Sequence, residues 1–261
     1  MSQNNDWFID QADEQFNFDH LIDDNPVVVT NNNVKTNYTN IWNRSVNKKA
    51  DITFIGDSVI DNKSYTGTGK GTVDYFAEHY ANPTYMSRIN DQAVDGFTVY
   101  DVLNNTSKVV GNTVVISAGG NDLLAKINML KDNHDTNTVM ALMNQELDIL
   151  ALAYETILSE LSQSGRNFVL LTCYDGNLAF NPNRFNNIDH VAKAIVSMWN
   201  DRLYRIANKY DKRNNNQSYD VLDTRHFMSH NCFYNEIEPN KRGAIRIAKN
   251  IIKLLVNKGV L

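Results

Sequence analysis

Apolar positions recur along this chain in two periods, one typical of buried strands and the other of amphipathic helices. Runs of β-branched and aromatic residues predict five strands, at Ile52–Ile55, Tyr85–Ile89, Thr113–Ser117, Phe168–Cys173 and Tyr219–Leu222. Apolar residues three and four positions apart predict helices at Val73–Tyr80, Val99–Asn104, Val139–Ser162, Ile188–Lys209 and Lys241–Leu255. Because strands and helices alternate, we expect right-handed crossovers and a parallel sheet that is covered on both faces.

The fold class that fits this order is α/β, a flavodoxin-like three-layer α/β/α sandwich with a five-stranded parallel sheet. Its strand order, 2-1-3-4-5, has a switch point between the first and third strands, and ligands bind at the carboxyl ends there. Gly56-Asp57-Ser58 follows the first predicted strand, and Gly119-Gly120-Asn121-Asp122 follows the third. The two unusual loops are therefore expected to flank one crevice.

The amino-terminal part of the chain differs from the remainder. Residues 1–44 are rich in Asp and Asn and carry isolated aromatic residues such as Trp7 and Phe16. Such a segment has too few apolar residues for a core of its own. We therefore predict an N-terminal arm at 1–44 that packs on the domain formed by 45–261.

Composition and charge exclude several classes of function. The net charge of −5 and the lack of a basic stripe argue against a nucleic-acid partner. No apolar run approaches the ~20 residues that span a bilayer, so no membrane span is expected. The polar, acidic amino terminus is unlike a Sec-type signal peptide, which predicts a cytoplasmic protein. No His or Cys pair has metal-ligand spacing, so we predict neither a metal nor a cofactor, and Cys173 and Cys232 are expected to be free thiols.

The candidate chemistry begins with Ser58. A glycine at the end of a strand lets the backbone turn sharply, and the serine after Gly56-Asp57 would stand at the carboxyl edge of the sheet. The simpler interpretation is a strand-to-helix turn in which Asp57 or Ser58 caps the helix.

Three sequence blocks, taken together, resemble the GDSL/SGNH hydrolases, a family of serine esterases and acyl hydrolases. They are Gly56-Asp57-Ser58, Ala93-Val94-Asp95-Gly96 and Gly119-Gly120-Asn121-Asp122, in the family's order. The resemblance implies that Ser58 is the nucleophile that attacks a small-molecule ester. It also implies an oxyanion hole formed by the backbone N–H groups of Ser58 and Gly96 and the side-chain amide of Asn121. Asp57 and Asp122 are expected to cap loops, and Tyr65 is expected to line the acyl pocket.

The fourth block departs from the family pattern. The usual Asp-x-x-His-Pro before the last helix is replaced by Asn235-Glu236-Ile237-Glu238-Pro239. Glu238 then occupies the histidine position and Asn235 the aspartate position. The segment is similar to that of a bacterial subgroup with Asn-x-Ile-Glu-Pro at this place.

Three hypotheses for the base remain open. In the first, Glu238 accepts the proton of Ser58 and is oriented by Asn235, since burial can raise a carboxyl pKa towards neutrality. In the second, a histidine substitutes: His226 has the literal Asp-x-x-His spacing from Asp223, and His230 follows it. In the third, the base is lost.

The functional prediction follows from these hypotheses. We expect hydrolysis of a small carboxylic ester, with an O-acetyl or short acyl group, through a serine nucleophile and an oxyanion hole. The alternative, which goes with the third hypothesis, is a catalytically impaired module that binds an acyl or glycan ligand.

Overall fold

One or two helices separate successive strands in the part of the chain that the structure, a computed structural model, describes: residues 44–79, 88–129, 136–162, 165–176, 189–211 and 217–261. The strands are β1 Ile52–Gly56, β2 Ile89–Asp91, β3 Thr113–Ser117, β4 Asn167–Leu171 and β5 Tyr219–Leu222. The helices are α1 Thr72–His79, α2 Val99–Asn104, α3 Gly120–Met129, α4 Thr136–Ser162, α5 Asp189–Asp211 and α6 Lys241–Asn257. Residues 1–43, where the arm is predicted, lie outside the described residues.

The sheet has the predicted topology. Its five strands are all parallel in the order β2-β1-β3-β4-β5. Gly56 at the end of β1 is in register with Ser117 at the end of β3. The loops that follow these two strands therefore leave the same edge of the sheet, which confirms the expected switch point.

The central strands are buried on both faces, as their continuous apolar runs predict. One face, which includes Phe54 and Val115, packs on α1 and α6. The other, which includes Ile55 and Ile116, packs on α2, α3, α4 and α5. The three-layer α/β/α fold class is confirmed.

The second strand differs from the prediction. Residues 85–87 of the predicted Tyr85–Ile89 lie outside the described residues, and β2 runs over Ile89–Asp91. Two of its three residues are polar. Asn90 can be buried there because its side chain donates to Thr53 Oγ1 at 3.0 Å and to the Lys108 carbonyl at 2.9 Å. Hydrogen bonds to a neighbouring strand and loop thus replace the apolar packing on which the prediction depended.

A helix was also missed. Helix α3 begins inside the Gly119-Gly120-Asn121-Asp122 motif, which was interpreted as a loop. The Leu123 amide donates to the Gly119 carbonyl at 2.9 Å, and Leu123 and Ile127, four residues apart, are buried. The two glycines at the start of this helix obscured the helical spacing of the apolar residues that follow them. No helix in the described residues is long and apolar enough to cross a membrane.

Candidate active site

Ser58 lies in a tight turn that ends β1. Gly56 has φ +144°, and a Cβ there would stand 2.0 Å from the Ser117 carbonyl oxygen, so only glycine fits. Asp57 Oδ1 accepts hydrogen bonds from the Val59 amide at 3.1 Å and from the Ser117 hydroxyl at 2.7 Å. Asp57 therefore caps the turn and joins it to β3, while Ser58 is 7% exposed beside it. Burial raises the pKa of Asp57 to about 6.

Glu238 is held in a closed loop that precedes α6. The Tyr234 amide donates to the Glu238 carbonyl at 2.7 Å, which ties the two ends of the loop together. Asn235 Oδ1 accepts from the amides of Ile237 at 2.9 Å and Glu238 at 2.8 Å. Asn235 thus holds the backbone of Glu238, while Asn240 caps α6 by accepting from two of its amides.

The Glu238 carboxyl group is buried in this loop, and the Ser58 side chain acts on it. Burial, and after it the charge of Asp95, raise the pKa of Glu238 to about 8, and a hydrogen bond with the Ser58 side chain opposes the rise. Glu238 is only 4% exposed. Its Oε2 has no hydrogen-bond partner within the described ranges. Ser58 and a carboxyl group of raised pKa therefore interact near the carboxyl edge of the sheet.

The two candidate histidines lie elsewhere. His226 and His230 are exposed, each in a short 3-10 turn. No hydrogen bond or ion pair of either imidazole with Ser58 occurs in the part of the chain that is described. The carboxylate of Asp223 binds Arg225 instead, at 2.9 and 2.7 Å. Although burial raises the pKa of Asp223, the bonds to Arg225 outweigh it and bring the value to about 2.

The candidate oxyanion donors lie in two adjacent segments. Gly96, with φ +84°, belongs to a turn closed by the Phe97 amide, which donates to the Val94 carbonyl at 3.1 Å. The Gly96 amide interacts with the Asp95 carboxylate and lowers its pKa. Asn121 Nδ2 donates to the Phe97 carbonyl at 3.0 Å. Because an amide group has two N–H donors, this bond fixes Asn121 and leaves one donor for a ligand.

Asp122, the neighbour of Asn121, has a structural contact. Its Oδ2 accepts from the Val99 amide at 3.0 Å, which holds the start of α2 against the start of α3. Burial raises its pKa to about 7. Asp122 thus caps a loop as expected.

A small pocket opens beside Ser58. Its volume is about 80 Å³, below the roughly 300 to 1,000 Å³ of sites that hold drug-sized ligands. Asn121 and Ser58 border it, and most of the remaining wall is apolar, with Leu123, Leu124, Ile127, Ala192, Val196 and Ile237. Tyr65, which was expected there, does not line it. The pocket therefore suits a short acyl chain next to the serine.

Two residues at the site have roles that the sequence analysis did not assign. The Tyr65 hydroxyl donates to Asp95 Oδ2 at 2.5 Å, and Asp95 is the charged group that acts most strongly on Glu238. The sequence carried a weak signal, since Tyr65 follows the serine block and Asp95 precedes Gly96. No group of His, Cys, Asp and Glu within the described ranges could hold a metal ion.

Solved structures with this fold include esterases and lipases. A catalytic mutant of Axe2, an acetylxylan esterase from Geobacillus stearothermophilus, is 17% identical over 77% of this chain and 92% of its own, with a TM-score of 0.55. A lipase from a goat rumen metagenome is 18% identical over 78% of this chain and 96% of its own, with a TM-score of 0.57. A GDSL-like lipase from Bacteroides thetaiotaomicron is 16% identical, over 82% and 91%, with a TM-score of 0.52.

This chain has the fold of those esterases and lipases. No model of a protein family matches its sequence, and no curated protein does. The similarity therefore lies in the fold alone.

Proposed function

We propose that this protein hydrolyses a small carboxylic ester, with Ser58 as nucleophile and Glu238 as general base. What carries the proposal is the buried Glu238 carboxyl group, on which the Ser58 side chain acts: burial raises its pKa to about 8, and Ser58 opposes the rise. A nucleophile within hydrogen-bond reach of a base is the arrangement that serine catalysis requires. The similar fold of an acetylxylan esterase and of lipases supports the same class of reaction.

The reaction proceeds in two halves. Ser58 Oγ bonds to the ester carbonyl carbon while its proton passes to Glu238, and the negative charge moves to the carbonyl oxygen. The backbone amides of Ser58 and Gly96 and the free N–H of Asn121 stabilise that charge. Glu238 returns the proton to the departing alkoxide. Water then attacks the acyl-serine with Glu238 again as base, which releases the acid and restores Ser58.

The pocket indicates the acyl group. A volume of about 80 Å³ with apolar walls accommodates an acetyl or other short chain. We therefore propose an O-acetyl or short acyl ester, in keeping with the acetylxylan esterase among the similar structures.

A direct test is hydrolysis of p-nitrophenyl acetate and butyrate by wild type and by Ser58→Ala and Asn121→Ala. Ser58→Ala should lose all turnover, and Asn121→Ala should lose about 10² to 10³ in kcat, because one oxyanion donor contributes about 3 kcal/mol. Turnover that survives in Ser58→Ala would rule out this nucleophile.

The second candidate is a module that binds an acyl or glycan ligand without cleaving it. It is favoured by the interaction of the Gly96 amide, one of the expected oxyanion donors, with the carboxylate of Asp95, whose pKa it lowers. A wild type that is inert from pH 5 to pH 10 but binds an acetylated oligosaccharide in calorimetry would support this function. Turnover that depends on Ser58 would exclude it.

A further inference from the structure

Ile237 lines the pocket beside Ser58 and directly precedes Glu238 in the loop ahead of α6. The volume of this pocket is about 80 Å³. Helices α3 and α5 supply most of its apolar lining, through Leu123, Leu124, Ile127, Ala192 and Val196. The pocket therefore has one wall made by helices and another part made by the loop that carries the proposed base.

The helix residues of the lining serve the core as well as the pocket. All five belong to the hydrophobic cluster on one face of the sheet or pack against it. Val59, Cys173 and Tyr174, which also line the pocket, likewise belong to a core cluster or pack against one. Ile237 is half-buried, and within the described ranges it neither belongs to a core cluster nor is among the apolar residues packed against one. Ile237 is thus an apolar side chain that serves the pocket and not the core.

The backbone at Ile237 is held independently of its side chain. Asn235 Oδ1 accepts from the amides of Ile237 at 2.9 Å and Glu238 at 2.8 Å. Gly176, which follows β4, has φ +72°, and a Cβ there would stand 2.6 Å from the Glu236 carbonyl oxygen and 3.5 Å from Ile237 Cγ2. The loop therefore lies directly against the chain at Gly176. Because its backbone is fixed by these contacts, a smaller side chain at position 237 should leave the loop in place.

The size of this side chain then determines the space for the acyl group. A hydrophobic pocket discriminates between chains that differ by one methylene, since a chain that fits gains apolar contact and one that is too long overpacks the wall. Alanine in place of Ile237 removes three carbon atoms. The other apolar wall residues are held in the core, so they cannot readily move into the space that is left. The pocket should then accept a longer chain.

We propose that Ile237 sets the length of the acyl group: its side chain limits the pocket beside Ser58 to acetyl and other short chains. The inference rests on the proposed function and extends it from a class of acyl group to the side chain that selects it. One loop thus carries both the proposed base, Glu238, and the residue that selects the substrate.

The kinetic test compares kcat/KM for p-nitrophenyl acetate, butyrate, hexanoate and octanoate. Wild type should prefer acetate and butyrate to octanoate. In Ile237→Ala the ratio of hexanoate to acetate should rise by about tenfold or more, because one methylene in a hydrophobic pocket changes specificity by about 10- to 200-fold. Ile237→Phe should lower the ratio of butyrate to acetate by about tenfold. If neither ratio changes, Ile237 does not set the chain length.

A matched control is available on α6. Ile245 is also half-buried, packs against the core cluster on the other face of the sheet, and is absent from the pocket lining that the described residues form. Ile245→Ala removes the same three carbon atoms and should leave both ratios unchanged. A shift in Ile245→Ala as large as that in Ile237→Ala would indicate a general loosening of the fold and overturn the assignment.

A second measurement needs no turnover. Acetamide and hexanamide are uncharged acyl analogues whose binding to Ser58→Ala and to the double variant Ser58→Ala/Ile237→Ala can be followed by ligand-observed NMR. The preference for hexanamide should rise by about tenfold in the double variant. An equal preference in both proteins overturns the proposal.

The two measurements also separate this inference from the proposed function. If the preference for hexanamide rises but Ser58→Ala still hydrolyses the esters, the role of Ile237 is supported and the proposed nucleophile is wrong. If hydrolysis depends on Ser58 but Ile237→Ala keeps the wild-type length preference, the proposed function stands and the role of Ile237 is wrong.

Discussion

Asp223 and Glu238 are two carboxylates near the carboxyl edge of the same sheet, and their surroundings are opposite. The carboxylate of Asp223 is bound by Arg225, which brings its pKa to about 2 although burial opposes the change. Glu238 is buried beside Asp95, which raises its pKa to about 8. Asp223 belongs to the literal Asp-x-x-His spacing, yet Glu238 is the carboxyl group on whose pKa the Ser58 side chain acts. Residue spacing singles out Asp223 as the partner of a histidine, whereas burial and neighbouring charge support the proposal that Glu238 is the base.

The largest expected effect is on kcat/KM, which should depend on Glu238 and hardly on Asp223. Glu238→Gln cannot accept the Ser58 proton, so kcat/KM for a short ester should fall by about 10² to 10⁴. Asp223→Asn should keep most of the wild-type rate. In wild type the rate should rise with pH to a midpoint of about 8 and stay level above it, because Glu238 must be ionised to act. Equal losses of kcat/KM in Glu238→Gln and Asp223→Asn would contradict the different roles of the two carboxylates.

Stability should also distinguish the two carboxylates: substitution of Glu238 should raise the free energy of unfolding, whereas substitution of Asp223 should lower it. The pKa of Glu238 is about 8 in the folded chain and 4.5 in the unfolded one. The unfolded chain therefore releases this proton first, and the folded state loses stability as the pH rises between these values. Relative to wild type, Glu238→Gln should gain about 1.4 kcal/mol in free energy of unfolding for each pH unit across that window. Urea unfolding of both proteins at pH 5, 6, 7 and 8 measures the difference.

A flat difference across that range would show that Glu238 is not buried as a neutral acid. Because Asp122 is present in both proteins and Glu238 is not among the groups that shift its pKa, its own titration cancels in the comparison. A variant that is more stable and inactive would be the expected signature of a catalytic carboxylate whose burial costs stability.

The fold could be predicted from the sequence because its signals are local. Continuous apolar runs marked β1 and β3, and three-to-four spacing marked α4 and α6. The strand β2 could not be predicted, since Asn90 is buried by bonds to Thr53 and to the Lys108 carbonyl, which are distant in sequence.

The candidate site could be predicted only in part. Ser58 was indicated by a glycine that no other residue can replace, and the Glu238 position by the proline and glycine around it. The contact of Tyr65 with Asp95 joins residues thirty positions apart. No local sequence pattern specifies such a contact, so the groups that surround Glu238 could not be predicted from the sequence.

A smaller effect on stability is expected when the ion pair of Asp223 with Arg225 is removed. Asp223→Asn removes the charged partner of Arg225 and weakens the bonds to Thr172 and Tyr204, so stability should fall by about 2 kcal/mol at neutral pH. Since the folded pKa lies below the unfolded value of 3.8, this contribution is complete above that value and disappears as the pH falls towards 2. Thermal unfolding of wild type and variant at pH 7 and pH 3 measures it. A stability difference that is larger at pH 3 than at pH 7 would contradict this assignment.

The smallest effect is expected at the histidines beside that ion pair. His226 and His230 are exposed, so His226→Ala and His230→Ala should change stability by about 0.5 kcal/mol and kcat/KM by about twofold at most. The measurement is the same ester assay at pH 6 and pH 9, because Glu238 would be largely protonated at pH 6 and ionised at pH 9. If either histidine variant abolishes turnover while Glu238→Gln retains it, the base is a histidine, and the buried carboxylate beside Ser58 has a structural role.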